Sequence, residues 1–200
     1  LGTQHQGASS RGGFTLCEVG DILVSENVDM INVIQGNSAS CFGGSGTPEH
    51  RYGRSHDLSL GDTAGLAWEI DCIHFALSQH TGSDFATVNV YVDVDGTPGP
   101  MPDGSDLWLI GSVETPIPDT SVPVMITASP ITPYPLSPDA LIFIEIVIPE
   151  TSSGTHFIGS NSAGELSPSW LRTTNGECGI GSWTNPSTLG YPDMHIVEAI

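Results

Sequence analysis

TVNVYVD, residues 87–93, decides the fold class. Val88, Val90 and Val92 alternate with polar residues and Tyr91, so the valines share one face of a strand and the others share the opposite face. This two-residue period is typical of a strand that is half buried in a β-sandwich. Short β-rich runs recur between turn signals, and helical periodicity is scarce. The sequence therefore predicts an all-β fold, with further strands over residues 67–77, 107–113, 122–128, 141–148, 156–160 and 194–200.

The segments between these runs are rich in glycine and proline. Pro98-Gly99-Pro100 marks a tight turn, and residues 116–138 form a proline-rich crossover. No change of composition marks a domain boundary, so we expect one jelly-roll-like antiparallel β-sandwich. The first 13 residues, LGTQHQGASSRGG, are polar and glycine-rich, and a segment of this composition is not expected to fold on its own.

The chain is strongly acidic. Its 200 residues include 23 Asp and Glu against four Arg and no Lys, which gives a net charge of −19 at pH 7. A field this negative repels phosphate backbones and excludes nucleic acid as a partner. The lack of lysine also excludes a P-loop lysine, a Schiff-base lysine and a lysine isopeptide crosslink.

The sequence predicts an extracellular protein that does not insert into a membrane. A membrane helix needs about 20 apolar residues, and the longest apolar run, residues 140–149, is interrupted by Glu145. The chain opens LGTQHQ, without an initiator methionine or an apolar leader, and so resembles a mature form whose targeting segment has been removed. Four cysteines in an acidic, lysine-free chain favour an oxidising compartment over the cytosol.

Nothing in the sequence predicts a catalytic residue. There is no G-x-S-x-G, no H-E-x-x-H and no cysteine with a histidine in a nucleophile motif. Cys72 and His74 share a strand face, but no second ligand pair follows them at zinc spacing. Glu69 and Asp71 also share a face, a coincidence that is expected among 23 carboxylates. We therefore expect a protein that is not an enzyme.

The basic residues concentrate in one place, residues 50–57, HRYGRSHD. His50, Arg51, Arg54 and His56 are candidates for an anion or carboxylate clamp, because guanidinium groups bind carboxylates in bidentate fashion. The alternative is that they pair with the abundant carboxylates of the same chain.

A second candidate site is the acidic loop, residues 93–106, DVDGTPGPMPDGSD. Asp93, Asp95, Asp103 and Asp106 are candidate calcium ligands, since calcium accepts six to eight oxygens in irregular geometry. The spacing does not match an EF-hand. The alternative is a hairpin tip whose aspartates form Asx-turns.

Several motifs together resemble a module of secreted bacterial proteins. They are GNSASC at 36–41, RYGRSHDL at 51–58, TVNVY at 87–91, FIGSN at 157–161, SWL at 169–171, CG at 178–179 and GYPDMHI at 190–196. The order matches the module over residues 36–197. The resemblance implies a secreted β-sandwich, often appended to extracellular proteases or surface proteins, with no agreed activity. The chain departs from the module at Arg51, at Gly53-Arg54 and at His56, and in having Cys17 and Cys72.

The resemblance also implies a cysteine pairing and a division of the chain. Four cysteines allow three connectivities, and the cysteines of the module, here Cys41 and Cys178, are expected to pair, which leaves Cys17 with Cys72. The module begins near Ser38, so residues 36–200 form the β-sandwich and residues 1–35 form an added N-terminal arm. This arm carries FTLCEVGDILVSENVDMINVIQ at 14–35, which is suited to pairing with a sheet edge of its own or a neighbouring subunit.

Two functions follow as expectations. The first is an extracellular structural subunit that assembles with copies of itself, through its arm, into a homopolymeric surface filament or matrix. The second is a secreted glycan-binding or adhesion module, in which exposed aromatic rings stack on sugars. The candidate stacking residues are Trp108, Tyr134, Trp170, Trp183 and Tyr191.

Overall fold

The chain forms an antiparallel β-sandwich, which confirms the predicted fold class. A computed structural model describes residues 23–42, 46–60, 67–129 and 135–200. The strands are β1 (His50–Asp57), β2 (Ile73–Thr81), β3 (Phe85–Asp93), β4 (Leu107–Pro116), β5 (Val124–Ala128), β6 (Leu141–Ile148), β7 (Thr155–Ile158), β8 (Ser160–Asn161), β9 (Ser169–Thr173), β10 (His195–Ile196) and β11 (Glu198–Ala199). Three 3₁₀ turns accompany them, at Leu58–Leu60, Glu177–Gly179 and Pro186–Leu189.

The strands lie in two layers. One is a five-stranded sheet in the order β4-β3-β6-β1-β9. The other contains β11-β2-β5, with β7 also paired to β2, and β8 pairs with β10. The chain crosses between the layers after β1, β2, β4, β5 and β6, and again before and after β9, as it does in a jelly roll.

Period-two alternation places the core between the layers. On β3, Val88 and Val90 face inward and are buried, whereas Asn89 and Tyr91 face outward. The register pairs Val88 with Ile146 and Val90 with Ile144, so the inward sides of β3 and β6 form one continuous apolar surface. The valine pattern of residues 87–93 therefore predicts the buried face correctly.

Two strands of the five-stranded sheet, β1 and β9, lack this apolar alternation. On β1 the inward positions are Tyr52, Arg54 and His56, which are buried but largely polar, so the hydrophobic pattern does not mark the strand. The strand predicted over residues 67–77 begins at Ile73 instead and continues to Thr81. Tertiary pairing with β5 and β7, rather than local composition, sets these limits.

The described part of the N-terminal arm, residues 23–35, packs on its own chain. Val24 and Ile200 exchange backbone hydrogen bonds of 2.8 and 2.9 Å. Ser25 Oγ donates to the carbonyl of Glu198 at 2.6 Å, and Asn27 Oδ1 accepts from the amide of Glu198 at 3.2 Å. Residues 1–22 of the arm lie outside the described residues.

A disulfide joins Cys41 to Cys178, as the resemblance implies. It connects the segment before β1 to the segment after β9. The second bridge, Cys17 to Cys72, stays a prediction because Cys17 lies outside the described residues. Within the described ranges, no helix has the length and apolar character to cross a membrane.

Replacing Cys41 and Cys178 together by alanine is expected to lower the free energy of unfolding by about 3–5 kcal/mol, because the bridge closes a loop of 137 residues in the unfolded chain. Urea denaturation of the variant and of the parent under non-reducing conditions measures the difference. Equal unfolding midpoints would show that the bridge does not form in solution.

Candidate binding face and acidic loop

The outward face of the five-stranded sheet carries a polar belt, which consists of Arg51, Asn89, Tyr91, Glu145 and Arg172. The strand registers place Asn89 opposite Glu145 and Arg51 opposite Arg172. Glu145 itself lies opposite Gly53, so the two arginines reach it from two residues further along their strands. Glu145 lies at its centre and is fully buried.

Four donors surround the carboxylate of Glu145. Its Oε2 accepts from Tyr91 Oη at 2.7 Å and Asn89 Nδ2 at 2.8 Å. Its Oε1 accepts from Arg51 Nη1 at 3.1 Å and Arg172 Nη2 at 3.3 Å. Burial and the adjacent Glu145 carboxylate raise the pKa of the Tyr91 phenol, so Tyr91 is a neutral donor across the physiological range. The belt is thus a rigid, hydrogen-bonded platform whose two arginines are partly exposed.

An aromatic cluster borders the belt. Phe143 and Trp183 meet edge to face with their centroids 5.0 Å apart, and the Arg172 guanidinium carbon lies 4.6 Å from the centroid of Trp183. Trp170, the neighbour of Leu171 on β9, presents its ring to Gly99, where no space remains for a Cβ atom. Within the described residues, Trp170 Nε1, Trp183 Nε1 and Arg172 Nε are buried and have no acceptor.

The acidic loop covers this cluster. The Gly99 amide donates to Ser55 Oγ at 2.9 Å, and the Trp183 amide donates to the Pro102 carbonyl at 3.0 Å. Residues 94–106 therefore form a wall on the outward face, beside the polar belt.

Three of the four candidate calcium ligands meet at the base of the acidic loop. Oxygens of Asp93, Asp95 and Asp106 all lie within 4.8 Å of one another. In the described part of the chain, no other group of three or more Asp, Glu, His or Cys side chains converges in this way. Asp103 lies apart and is exposed, and its Oδ1 accepts from the amide of Ser105 at 3.1 Å.

The cluster has an unusual electrostatic state. Asp93 and Asp106 are only 4% and 3% exposed. Burial, together with the neighbouring carboxylates of Asp95 and Asp106, raises the pKa of Asp93 to about 7. Asx-type hydrogen bonds also occur here, from the amide of Thr97 to Asp95 Oδ1 at 2.7 Å and from the amide of Asp95 to Asp93 Oδ1 at 3.3 Å. The Asx-turn alternative therefore describes part of the loop.

The predicted anion clamp is not assembled, because β1 alternates its side chains between the two faces. Arg51 faces outward in the polar belt, whereas His50, Arg54 and His56 face inward and are buried. Arg54 donates to Glu165 and to Ser169 Oγ, and His56 Nε2 lies 2.8 Å from Glu198 Oε1. The structure thus favours the alternative for Arg51, Arg54 and His56, which pair with carboxylates of their own chain. His50 instead accepts from the Cys41 amide at 2.7 Å and contacts the Pro48 carbonyl at 2.8 Å.

Three histidines that the sequence did not place together, His50, His80 and His156, form a buried trio. The rings of His80 and His156 stack at 5.2 Å, and His50 meets His156 edge-on at 6.2 Å. Burial, reinforced by the two neighbouring rings, lowers the pKa of His156 to about 4, and burial also lowers the pKa of His50 and His80. Three strands that are distant in sequence bring the trio together, so only the register of the folded sheets reveals it.

No protein-family model, no curated protein and no solved structure matches this chain.

The histidine trio predicts a loss of stability in acid. Below pH 6.5 these histidines become protonated in the unfolded chain, whereas burial keeps them neutral in the folded protein. The free energy of unfolding therefore falls as the pH drops from 6.5 towards 4. His156 alone is expected to contribute a loss of about 1–2 kcal/mol between pH 7 and pH 5. Urea denaturation of the parent and of His156→Leu at the two pH values measures this contribution as the difference between their pH dependences. Opposing effects, such as that of Asp93, are present in both proteins and cancel in this difference.

The control is Phe157→Leu, which changes the adjacent residue of β7 and no titratable group. It is expected to lower stability equally at both pH values. A pH dependence in His156→Leu as steep as in the parent would contradict the assignment.

Proposed function

We propose that this chain is a non-enzymatic extracellular structural subunit that assembles with copies of itself at the open edge of β4. The observation that carries the proposal is the exposure of two large apolar side chains on that edge. Trp108 is 70% exposed and Leu109 is 49% exposed. Side chains of this size are costly to leave in water. Because neighbouring residues of a strand alternate between the two faces, Trp108 and Leu109 would contact both sides of a strand added at this edge.

The backbone of β4 is also available. This ten-residue strand pairs with β3 on one side, and among the described residues no strand pairs with its other side. Proteins usually protect such edges with lysine, proline or a bulge. Here Glu114, Pro116 and an extra residue at Ile110 protect the second half of the strand, whereas the half that carries Trp108 and Leu109 has no such protection.

The neighbouring surface extends the apolar edge. Val94 and Met101 of the acidic loop are exposed. The Val94 amide donates to the Asp106 carbonyl at 3.0 Å, which holds Val94 beside the start of β4. A second strand added to β4 would therefore meet apolar side chains as well as free backbone groups.

The proposed occupant is the N-terminal segment of a second copy. Residues 23–35 bind their own sandwich, so residues 1–22 are the part available to reach a neighbour. If Cys17 pairs with Cys72 as predicted, residues 1–16 remain, and they span about 50 Å when extended. The N-terminal segment of one copy and the β4 edge of the next are different surfaces, so the contact between copies is head-to-tail. Repeated contacts of this kind yield an open filament unless the rotation between neighbouring copies closes a ring.

The charge of −19 per chain opposes this assembly in dilute salt. The Debye length falls from about 8 Å at physiological ionic strength to about 3 Å at 1 M, so repulsion between subunits is screened in concentrated salt. Growth of the assembly should therefore increase with salt concentration.

The test compares Trp108→Ser/Leu109→Ser with the parent chain by multi-angle light scattering and electron microscopy at 0.1 and 1 M NaCl. The parent is expected to form assemblies that grow with salt, and the double variant is expected to remain monomeric with an unchanged melting temperature. Deletion of residues 1–13 should have the same effect. Tyr191→Ser, which removes a ring that is 48% exposed but distant from β4 in sequence, should assemble like the parent. A monomeric parent at 1 M NaCl would refute the proposal.

A second candidate function, glycan binding, is favoured by the three unpartnered donors beside the polar belt. Trp170 Nε1, Trp183 Nε1 and Arg172 Nε are buried without an acceptor in the described chain, and buried donors left unpaired are costly. Sugar hydroxyls are acceptors of suitable chemistry, and they would reach these donors where residues 94–106, which cover the cluster, are displaced.

Affinity electrophoresis in gels that contain neutral polysaccharides tests this function. Trp170→Phe and Trp183→Phe remove the donors and keep aromatic rings, so they should weaken binding at least tenfold. Trp108→Phe is the matched control and should bind like the parent. Equal mobility of all four proteins in every polysaccharide would exclude glycan binding at this face.

A further inference from the structure

The acidic loop is closed at its base by backbone contacts that bring carboxylates together. Asp93 is the last residue of β3, and Asp106 immediately precedes β4. The Val94 amide donates to the Asp106 carbonyl at 3.0 Å, so the two strand ends are held side by side. Asp95 follows two residues after Asp93, which places a third carboxylate against the same point.

Two carboxylate oxygens at this point lack any partner in the described chain. Asp93 Oδ1 accepts from the amide of Asp95 at 3.3 Å, and Asp106 Oδ2 accepts from the amide of Met101 at 2.8 Å. The other oxygen of each group, Asp93 Oδ2 and Asp106 Oδ1, is buried and has no donor. Both side chains are more than nine-tenths buried.

No arginine or histidine among the described residues forms an ion pair with these carboxylates, since their ion pairs all go to other acids. A buried carboxylate without a counter-charge is strongly disfavoured and either takes up a proton or binds a cation.

We propose that Asp93, Asp95 and Asp106 bind one calcium ion through the unpartnered oxygens of Asp93 and Asp106 and a carboxylate oxygen of Asp95. The donor set contains only oxygen, which suits a hard cation rather than zinc or copper. Calcium tolerates the irregular geometry of a loop and completes its shell of six to eight oxygens with carbonyls and water, whereas magnesium demands a near-ideal octahedron.

The ion would also stabilise the surfaces described above. It joins the end of β3 to the start of β4 and so fixes both ends of residues 94–106. That segment packs Gly99 against Trp170 and Pro102 against Trp183, and it carries Val94 beside the open edge of β4. Calcium binding itself depends on neither assembly nor glycan binding.

The experiment titrates the full chain with CaCl₂ by isothermal calorimetry at pH 8 after chelator treatment. We expect one ion per chain and a melting temperature that rises with calcium because the ion binds only the folded state. MgCl₂ at equal concentration should bind more weakly.

Two variants and a control locate the site. Asp93→Asn and Asp106→Asn should each weaken calcium binding at least tenfold. In chelator, Asp93→Asn should melt no lower than the parent, because it removes repulsion between carboxylates and keeps the shape of the side chain; a lower melting temperature would identify a folding defect instead. Asp103→Asn, in the same loop but outside the cluster, should bind calcium like the parent.

Absence of stoichiometric calcium binding at pH 8, or an equal effect of Asp103→Asn, would overturn the proposal and leave the loop held by its Asx-turns alone. Repeating the titration with Trp108→Ser/Leu109→Ser separates this result from the assembly proposal, since that variant should bind calcium normally whether or not the parent assembles.

Discussion

The sandwich depends on the neutralisation of Arg54, a fully buried guanidinium near the middle of β1. Burial lowers its pKa, and the carboxylates of Glu165, Glu198 and Glu26 oppose that effect. Because removing one partner of a buried ion pair typically costs about 3–5 kcal/mol, the elements that carry these carboxylates cannot leave β1 independently. The interaction therefore couples the centre of the five-stranded sheet to segments that are distant in sequence.

The same network orders the described part of the arm and the C-terminal strands. Ser169 Oγ, which contacts Arg54, also accepts from the amide of Ile196 at 2.9 Å. Glu198 faces His56, while its backbone bonds to Ser25 and Asn27. Residues 25–27, β9, β10 and β11 thus surround one buried polar centre, which explains why residues 25–27 pack against the sandwich.

Hydrophobic alternation predicts the strands whose inward face is apolar, such as β3 and β6, and it fails where that face is polar. β1 pairs its inward arginine and histidine with acids more than 100 residues away, a distance in sequence over which composition carries no signal. The acidic loop was predictable as a cluster because its ligands are close in sequence. The position of Asp103 outside the carboxylate cluster was not predictable, because it depends on the loop conformation that turns this side chain to solvent. The histidine trio required the pairing of β2 with β7.

The disulfide between Cys41 and Cys178 encloses most of the sandwich in one covalent ring. A single cut of the backbone anywhere inside that ring, for example in the exposed tip of the acidic loop, leaves the two fragments covalently joined. Exposed loop tips are the preferred targets of proteases. A nicked chain would therefore keep its strands at high effective concentration and could re-form its sheets, so damage by an external protease would not by itself release a piece of the domain.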